Sequence, residues 1–164
     1  MKRIGLITDT HGLLDERVYK YFQNVDEIWH AGDWGSMEVV EKLQAFKPVR
    51  GVYGNIDGQE IRTIFPKHLR FMCEDVEVWL THIGGYPGKY DANVKPDIFN
   101  NPPKLFVCGH SHILKVQYDK TLDLLHLNSG AAGKYGFHQV QTIIRFEIDG
   151  RNIQNLEVIE LNPV

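Results

Sequence analysis

The chain has 164 residues, of which 43% are hydrophobic and 24% are charged, and both values are close to the average for soluble globular proteins. A chain of this length fits one domain, so residues 1–164 are expected to fold as a single unit. The formal net charge of -3 and the pI near 6.2 exclude a broad basic surface. We therefore predict no binding to duplex nucleic acid.

The amino-terminal segment does not have the pattern of a secretory signal, because its apolar run ends at Thr8-Asp9. No later stretch is long and apolar enough to span a membrane. Cys73 and Cys108 lie far apart and show neither CxxC nor zinc-ribbon spacing, which predicts two reduced thiols. These features together predict a cytoplasmic protein without a membrane segment.

The first third of the chain alternates between apolar runs and helical patterns. Residues 2–7, 27–30 and 49–53 are predicted strands, and residues 16–22 and 37–46 have apolar positions at helical spacing. This alternation predicts a parallel β-α-β sheet.

The second half contains more strands than helices. A hairpin is predicted around Glu74-Asp75, a surface loop with one helical turn over residues 87–103, and a buried strand over residues 105–108. From Leu114 onward we predict a β meander whose last tight turn is Asp149-Gly150. Two packed sheets with helices outside accommodate both halves. The predicted strands of this half are 69–72, 76–80, 105–108, 114–118, 122–127, 142–148 and 153–161.

Polar clusters follow five of the predicted strands, at the place where functional loops of α/β proteins lie. Three of the histidines outside these clusters, His30, His68 and His126, are expected to have structural roles. The five clusters are Asp9-Thr10-His11, Gly32-Asp33, Gly54-Asn55-Ile56-Asp57, Thr81-His82 and Gly109-His110-Ser111-His112.

Seven side chains in these clusters are of metal-ligand type. The Asp-x-His and His-x-His spacing places both side chains of each pair on the same side of an extended segment. Mixed nitrogen and oxygen ligands favour Mn²⁺, Fe²⁺, Ni²⁺ or Zn²⁺ over Ca²⁺, and seven ligands predict two ions rather than one. Taken singly, several of these residues would more often be turn formers, but that explanation is poor for all seven at five strand ends. The seven are Asp9, His11, Asp33, Asn55, His82, His110 and His112.

The ordered set Asp-x-His, Gly-Asp, Gly-Asn-x-Asp, strand-His and Gly-His-x-His resembles the calcineurin-like metallophosphoesterase superfamily over residues 4–133. The short chain is similar to the small single-domain bacterial and archaeal phosphodiesterase branch of that family. The resemblance implies an α/β fold, namely a four-layer α/β/β/α sandwich with two mixed β-sheets. It also implies that Asp33 bridges two ions. The implied ligand sets are Asp9, His11, Asp33 and His112 for the first ion, and Asp33, Asn55, His82 and His110 for the second.

One position departs from the family pattern. Many members have Gly-Asn-His, whose histidine contacts the phosphate, whereas Ile56 occupies that position here. Loss of general acid assistance predicts slower catalysis or substrates with good leaving groups. Asp57 could orient His11, so these two are the candidate catalytic residues. Asn55 and His138 are the candidate substrate contacts, and Asn128-Ser129-Gly130 resembles the family's supporting turn.

The leading hypothesis is a dinuclear-metal-dependent phosphoesterase that hydrolyses a phosphodiester through attack by a metal-bridging hydroxide. Mn²⁺ is the expected ion, with Ni²⁺, Fe²⁺, Zn²⁺ or Mg²⁺ as alternatives. The partner would be a small phosphate-ester substrate, and a nuclease acting on single strands is a variant of this hypothesis. The alternative is a non-catalytic protein-interaction scaffold with the same fold. The natural substrate, the leaving-group acid and a homo-oligomeric state stay open.

Overall fold

The computed structural model describes residues 1–163. Short helices and strands alternate in the first third of the chain, and strands predominate afterwards. In chain order the elements are β1 (Lys2–Ile7), α1 (Arg17–Tyr21), β2 (Glu27–His30), α2 (Met37–Phe46), β3 (Val49–Gly51), α3 (Gln59–Ile64), β4 (His68–Cys73), β5 (Val76–Thr81), β6 (Gly85–Tyr86), β7 (Lys89–Tyr90), α4 (Asp97–Asn100), β8 (Leu105–Cys108), β9 (Lys115–Asp119), β10 (Leu124–Asn128), β11 (Val140–Asp149) and β12 (Asn152–Pro163).

Sheet 1 has the strand order β12-β11-β1-β2-β3. Strands β1, β2 and β3 are parallel, as the β-α-β pattern predicted. Strand β11 joins them antiparallel to β1, with Lys2 opposite Ile148, and β12 continues antiparallel to β11. Sheet 1 is therefore mixed, with its parallel part formed by the first third of the chain.

Sheet 2 has the strand order β4-β5-β8-β10-β9. Its three central strands β5, β8 and β10 are parallel, and β4 and β9 are antiparallel edge strands. The predicted hairpin around Glu74-Asp75 is the β4–β5 connection. A separate two-stranded hairpin, β6–β7, follows β5.

Three buried hydrophobic clusters separate four layers. Val40 and Leu43 of α2 pack with Ile7 of β1 on the helical side of sheet 1. Leu6 and Val107 belong to the cluster between the two sheets, so neighbouring residues of β1 point to opposite faces. On the outer face of sheet 2, Ile98 of α4 lies in one cluster with Phe106 and Trp79. The layers are α1–α3, sheet 1, sheet 2 and α4, which confirms the expected α/β/β/α sandwich.

The predicted β meander from Leu114 onward is wrong. Strands β9 and β10 form a hairpin in sheet 2, whereas β11 and β12 form a hairpin in sheet 1. The chain between β10 and β11 crosses from one sheet to the other, because β11 pairs with β1 near the start of the chain. The helical turn predicted within the loop at residues 87–103 is α4, whereas β7 in the same loop and α3, which buries Ile61, were not predicted.

Every helix within residues 1–163 is too short to span a lipid bilayer; α2, with 10 residues, is the longest of those described. The helices instead cover the sheets. The five polar clusters all follow the carboxyl ends of β1, β2, β3, β5 and β8, so the fold brings five loops to one edge of the sandwich.

Candidate metal centre

Backbone hydrogen bonds join the loops that follow β1 and β2. The N–H of Asp9 donates to the carbonyl of Gly32 at 3.0 Å, and the N–H of His11 donates to the carbonyl of Asp33 at 3.0 Å. On the side of sheet 2, the N–H of Gly109 donates to the carbonyl of His82 at 3.0 Å. Main-chain hydrogen bonds alone therefore join the loop after β1 to the loop after β2, and the loop after β5 to the loop after β8.

Five of the candidate ligands have left-handed backbone conformations. The φ angles are 52° at Asp9, 47° at His11, 58° at Asp33, 72° at His110 and 63° at His112. For a residue other than glycine, a sparsely populated conformation costs about 1–3 kcal/mol, and such residues cluster at functional sites. The surrounding loops hold these five side chains in directions that an unstrained chain would not adopt.

The first ligand group consists of Asp9, His11 and His112, whose donor atoms lie within 4.8 Å of one another. Asp9 is fully buried, and its Oδ1 atom lies 3.2 Å from Nε2 of His112 and 3.6 Å from Nε2 of His11. The other carboxylate oxygen, Oδ2, accepts hydrogen bonds from the Thr8 hydroxyl at 2.9 Å and the His110 N–H at 3.0 Å. These bonds fix the Asp9 carboxylate with Oδ1 directed at the imidazoles.

The second ligand group consists of Asp33, His82 and His110. The N–H at Nδ1 of His82 donates to the Ala31 carbonyl at 2.7 Å, which leaves Nε2 as the ligand atom. His110 Nδ1 lies 3.0 Å from Oδ1 of Asn55, so the amide of Asn55 borders the same group. Four side chains from the β2, β3, β5 and β8 loops thus converge here.

Asp33 lies between the two groups. Its Oδ2 atom is 3.5 Å from Nε2 of His11 in the first group and 3.2 Å from Nε2 of His82 in the second. Its Oδ1 atom accepts a hydrogen bond from the Ile56 N–H at 3.1 Å, which fixes the carboxylate. All seven predicted side chains therefore lie at one edge of the sandwich.

Two buried side-chain atoms without hydrogen-bond partners indicate that these residues fit divalent ions. Among the residues described, 1–163, Oδ1 of Asp9 and Nε2 of His82 are buried and have no hydrogen-bond partner. A buried polar atom without a partner costs about 1–3 kcal/mol. Both atoms are good ligands, and each belongs to a different group, so a cation in each group would satisfy both.

The charges of the site stabilise one another. Burial alone would raise the pKa of Asp9, but the neighbouring imidazoles of His11, His112 and His82 outweigh burial and hold the pKa far below its ordinary value. Burial would lower the pKa of His82, yet Asp33 and Asp9 raise it above its ordinary value. The carboxylates are therefore ionised, which is the form that binds a metal.

Two glycines permit the close approach of the loops. A Cβ atom at Gly54 would overlap Oδ1 and the backbone nitrogen of Asp33, and one at Gly109 would overlap the hydroxyl of Thr8. Glycine, which has no Cβ, therefore lets the backbone before Asn55 and before His110 approach the site this closely.

Known proteins share both the sequence pattern and the fold. The calcineurin-like phosphoesterase superfamily domain matches residues 1–151. The chain belongs to this superfamily. This calcineurin-like phosphoesterase is therefore a metal-dependent phosphoesterase that acts on phosphate esters, and its two ligand groups are candidate sites for the divalent ions that the family implies.

Relatives of the phosphoesterase agree with this assignment. A probable metallophosphoesterase from Methanothermobacter thermautotrophicus is 30% identical over 134 residues, which cover 78% of this chain and 76% of the relative. The structure of an archaeal phosphodiesterase superposes with a TM-score of 0.78 at 21% identity, over 97% of this chain and 99% of that one. Vps29 from Entamoeba histolytica, in complex with Zn²⁺, superposes with a TM-score of 0.75 at 14% identity, over 98% of each chain. At such identities the two structures share the fold.

Asp57 of the phosphoesterase lies next to the ligands but contacts the backbone. Its Oδ2 accepts hydrogen bonds from the N–H of Gly54 at 2.8 Å and of Trp34 at 3.2 Å, and its Oδ1 accepts from Gly35 at 3.0 Å. Within residues 1–163, the hydrogen bonds of this carboxylate all come from backbone N–H groups. These hydrogen bonds do not support the prediction that Asp57 orients His11. They join the Asp33 loop to the Asn55 loop instead.

His138 borders the first ligand group. Its ring lies 5.2 Å from the ring of His112, and its Nε2 lies 2.7 Å from the Gly133 carbonyl. Tyr135 of the same segment packs on His11 at 4.9 Å between ring centroids and is largely exposed. The sequence did not single out Tyr135 within the segment of His138, because an exposed aromatic residue in a glycine-rich segment has no periodic pattern.

His30 has the structural role that its strand position predicted. It is fully buried and stacks on Trp34, with ring centroids 3.8 Å apart. Nδ1 accepts from the Gly32 N–H at 3.0 Å, so Nε2 carries the proton and donates to the Thr10 hydroxyl at 3.1 Å. Burial lowers the pKa of His30 to about 3, which keeps it neutral. His30 therefore connects the loops that carry Asp9 and Asp33.

The predicted supporting turn is formed by Asn128. Its Nδ2 donates to the Gly109 carbonyl at 3.0 Å and to the Ser111 hydroxyl at 3.1 Å. Its Oδ1 accepts from the Gly130 N–H at 2.9 Å. Because Gly109 and Ser111 flank His110, this one amide orients the segment that contributes both His110 and His112.

Proposed function

We propose that this phosphoesterase binds two divalent ions, Mn²⁺ first among them, and hydrolyses phosphodiesters. The observation that carries the proposal is the position of Asp33, whose Oδ2 lies within 3.5 Å of His11 and 3.2 Å of His82. One carboxylate is therefore available to both ligand groups, as a dinuclear centre requires.

The chain's residues would divide between the two ions. Asp9, His11 and His112 would hold one, while Asn55, His82 and His110 would hold the other, with Asp33 shared. When bound, such ions supply a nucleophile from water at neutral pH and positive charge for the phosphoryl oxygens.

The protein's own part is to orient these groups. Thr8 and the His110 N–H fix the Asp9 carboxylate, the Ile56 N–H fixes the Asp33 carboxylate, and the Ala31 carbonyl fixes the His82 ring. Asn55, and His138 beside the first group, would contact the substrate.

The side chain at position 56 supports a preference for good leaving groups. Ile56 is 49% exposed and offers no proton, and the neighbouring Asp57 carboxylate is engaged with backbone N–H groups. Without a general acid at this position, turnover would depend steeply on the leaving-group pKa, because acid assistance typically contributes ~10²–10⁴-fold.

The test is hydrolysis of bis(p-nitrophenyl) phosphate by the Mn²⁺-loaded protein. We expect His82→Ala and Asp33→Asn to lower turnover at least about 100-fold while the far-ultraviolet circular dichroism is unchanged. His68→Ala, whose imidazole accepts a hydrogen bond from the Trp79 indole and belongs to neither ligand group, should keep wild-type turnover. Undiminished activity in both ligand variants would refute the proposal.

Elemental analysis separates the enzyme from the alternative, a non-catalytic protein-interaction scaffold. Vps29 shares the fold with this chain, but its 14% identity carries no function across. About two ions per chain together with turnover supports the enzyme. A folded protein that binds no transition metal would support the scaffold.

A further inference from the structure

A cavity of about 330 Å³ opens beside the second ligand group. His82 and Asn55 line it, and so do Arg62 and Lys67. A substrate whose phosphoryl group lies at the metal ligands would therefore have room to extend toward two cationic side chains. The function of these cations is not explained by metal binding, since neither can be a ligand.

Arg62 is fixed at the rim of this cavity. Its Nε donates to the Asp57 carbonyl at 2.6 Å, and its Nη2 donates to the Asn55 carbonyl at 3.2 Å. The guanidinium also stacks over the ring of Tyr53 at 4.4 Å. Because Asn55 is itself a candidate ligand, these hydrogen bonds hold the guanidinium next to the second ligand group.

The charge of Arg62 is not neutralised by a carboxylate. Among the ion pairs within residues 1–163, Arg62 takes part in none, and its partners are neutral carbonyls. A guanidinium has five N–H donors, and the two hydrogen bonds leave three of them free. Free N–H groups on a pre-oriented fork match the oxygens of phosphate or a similar anion.

The other charges at the cavity do not cancel this one. Asp91 lines the same cavity, but its Oδ2 accepts from the N–H of Asn93 at 2.9 Å and from the Asn93 side chain. Hydrogen bonds from Asn93 lower the pKa of the Asp91 carboxyl, and the exposed Lys67 lies near enough to contribute in the same direction. Lys67 and Asp91 offset each other, so Arg62 leaves a net positive charge.

We propose that this cavity is a subsite for a second anionic group. The substrate is then a phosphodiester whose retained alcohol carries a further phosphate or another anionic group. Arg62 binds that group. This inference rests on the proposed phosphodiester hydrolysis, because it places the scissile phosphate at the ligand groups.

The test uses two esters that differ in one charge. Both are p-nitrophenyl phosphodiesters; one carries a 3-sulfopropyl group and the other a neutral 3-(methylsulfonyl)propyl group of similar size. The leaving group and the scissile phosphate are the same in both. We expect kcat/KM of the Mn²⁺-loaded protein to be about tenfold higher for the sulfonate, the effect of a hydrogen bond to a charged group.

Arg62→Gln should reduce this preference to about one, and Arg62→Lys should give an intermediate value. Arg70→Gln is the matched control. Arg70 also stacks on an aromatic ring, that of Trp79 at 4.8 Å, and also donates to a backbone carbonyl, but it pairs with Glu77 and does not line this cavity. Arg70→Gln should keep the wild-type preference.

The ratio separates anion binding from a merely structural role. If Arg62 only holds the Asn55 loop, Arg62→Gln will slow both esters equally and leave their ratio unchanged, which overturns the subsite. A wild-type ratio near one also overturns it.

Calorimetry keeps the subsite testable if the protein hydrolyses neither ester. The ligands are then 3-sulfopropyl phosphate and its methylsulfonyl counterpart, each titrated into the Mn²⁺-loaded protein. About tenfold tighter binding of the sulfonate, lost in Arg62→Gln, supports the subsite even though the hydrolysis proposal would have failed. Equal affinities overturn the subsite.

Discussion

Nε2 of His82 lies 3.2 Å from Oδ2 of Asp33, and the two residues come from different sheets. Asp33 follows β2 of sheet 1, while His82 follows β5 of sheet 2. The candidate metal centre therefore spans the interface between the sheets, and binding of ions there links the two halves of the sandwich.

Removal of metal should lower thermal stability. A ligand that binds only the folded state stabilises it by about 2.7 kcal/mol at a free concentration of 100 Kd, and for a chain of this size 1 kcal/mol corresponds to about 2–4 °C. We expect EDTA to lower the Tm by about 5–10 °C in scanning calorimetry and Mn²⁺ to restore it. His82→Ala should show a smaller response. Identical melting with and without chelator would contradict ion binding at this interface.

Gly54→Ala should destabilise the protein and reduce metal content. The added Cβ would overlap Oδ1 and the backbone nitrogen of Asp33, and overpacking of this kind costs about 1–3 kcal/mol. Urea denaturation and elemental analysis measure both effects.

Gly58→Ala is the control for this prediction, since no atom lies within 4 Å of the position that its Cβ would occupy and its φ is -85°. Its unfolding free energy should stay within about 1 kcal/mol of wild type, with metal content unchanged. Equal effects of the two substitutions would show that the approach of Gly54 to Asp33 is unimportant.

Asp57→Asn should weaken the connection between the Asp33 and Asn55 loops. The carboxylate accepts from three backbone N–H groups, and an amide would direct its own N–H at one of them. We expect a loss of about 1–3 kcal/mol in unfolding free energy, measured by urea denaturation, together with weaker metal binding.

The exposed Asp75 offers a matched control, and Asp75→Asn should change stability by less than about 0.5 kcal/mol. If Asp57→Asn is as stable as wild type but has a displaced pH profile of turnover, the prediction that Asp57 orients His11 would be favoured instead.

Acid should destabilise the protein partly through His126. Burial, with a smaller contribution from Lys115, lowers the pKa of His126 from 6.5 to about 4, so the unfolded chain binds the proton first as the pH falls. Its contribution to stability is complete above about pH 6.5 and is lost as the pH falls toward about 4, by up to about 3 kcal/mol.

His126→Phe removes this titration. The unfolding free energy of the variant, relative to wild type, should therefore rise as the pH is lowered from about 7 to about 4.5, with both proteins measured by urea denaturation. Parallel pH dependences would show that His126 does not titrate differently on folding.

The sequence by itself was sufficient for much of the fold and for the candidate ligands. Strands β1, β2 and β8 and helix α2 have the predicted bounds, because each is a local apolar run or a local helical pattern between clear boundaries. The α/β/β/α sandwich was expected from the resemblance and is confirmed. The seven ligand-type residues were identified because each follows a strand, and the carboxyl ends of parallel strands meet at one edge.

Only the tertiary structure decided which distant segments pair. Strand β11 lies beside β1 and not beside β10, because that pairing depends on packing between segments at opposite ends of the chain. The same holds for the backbone contacts of Asp57 and for the cavity that Arg62 lines together with His82 and Asn55. Local patterns record how a segment alternates between apolar and polar residues, whereas partners, orphaned donors and uncompensated charges arise only when separate segments are packed together.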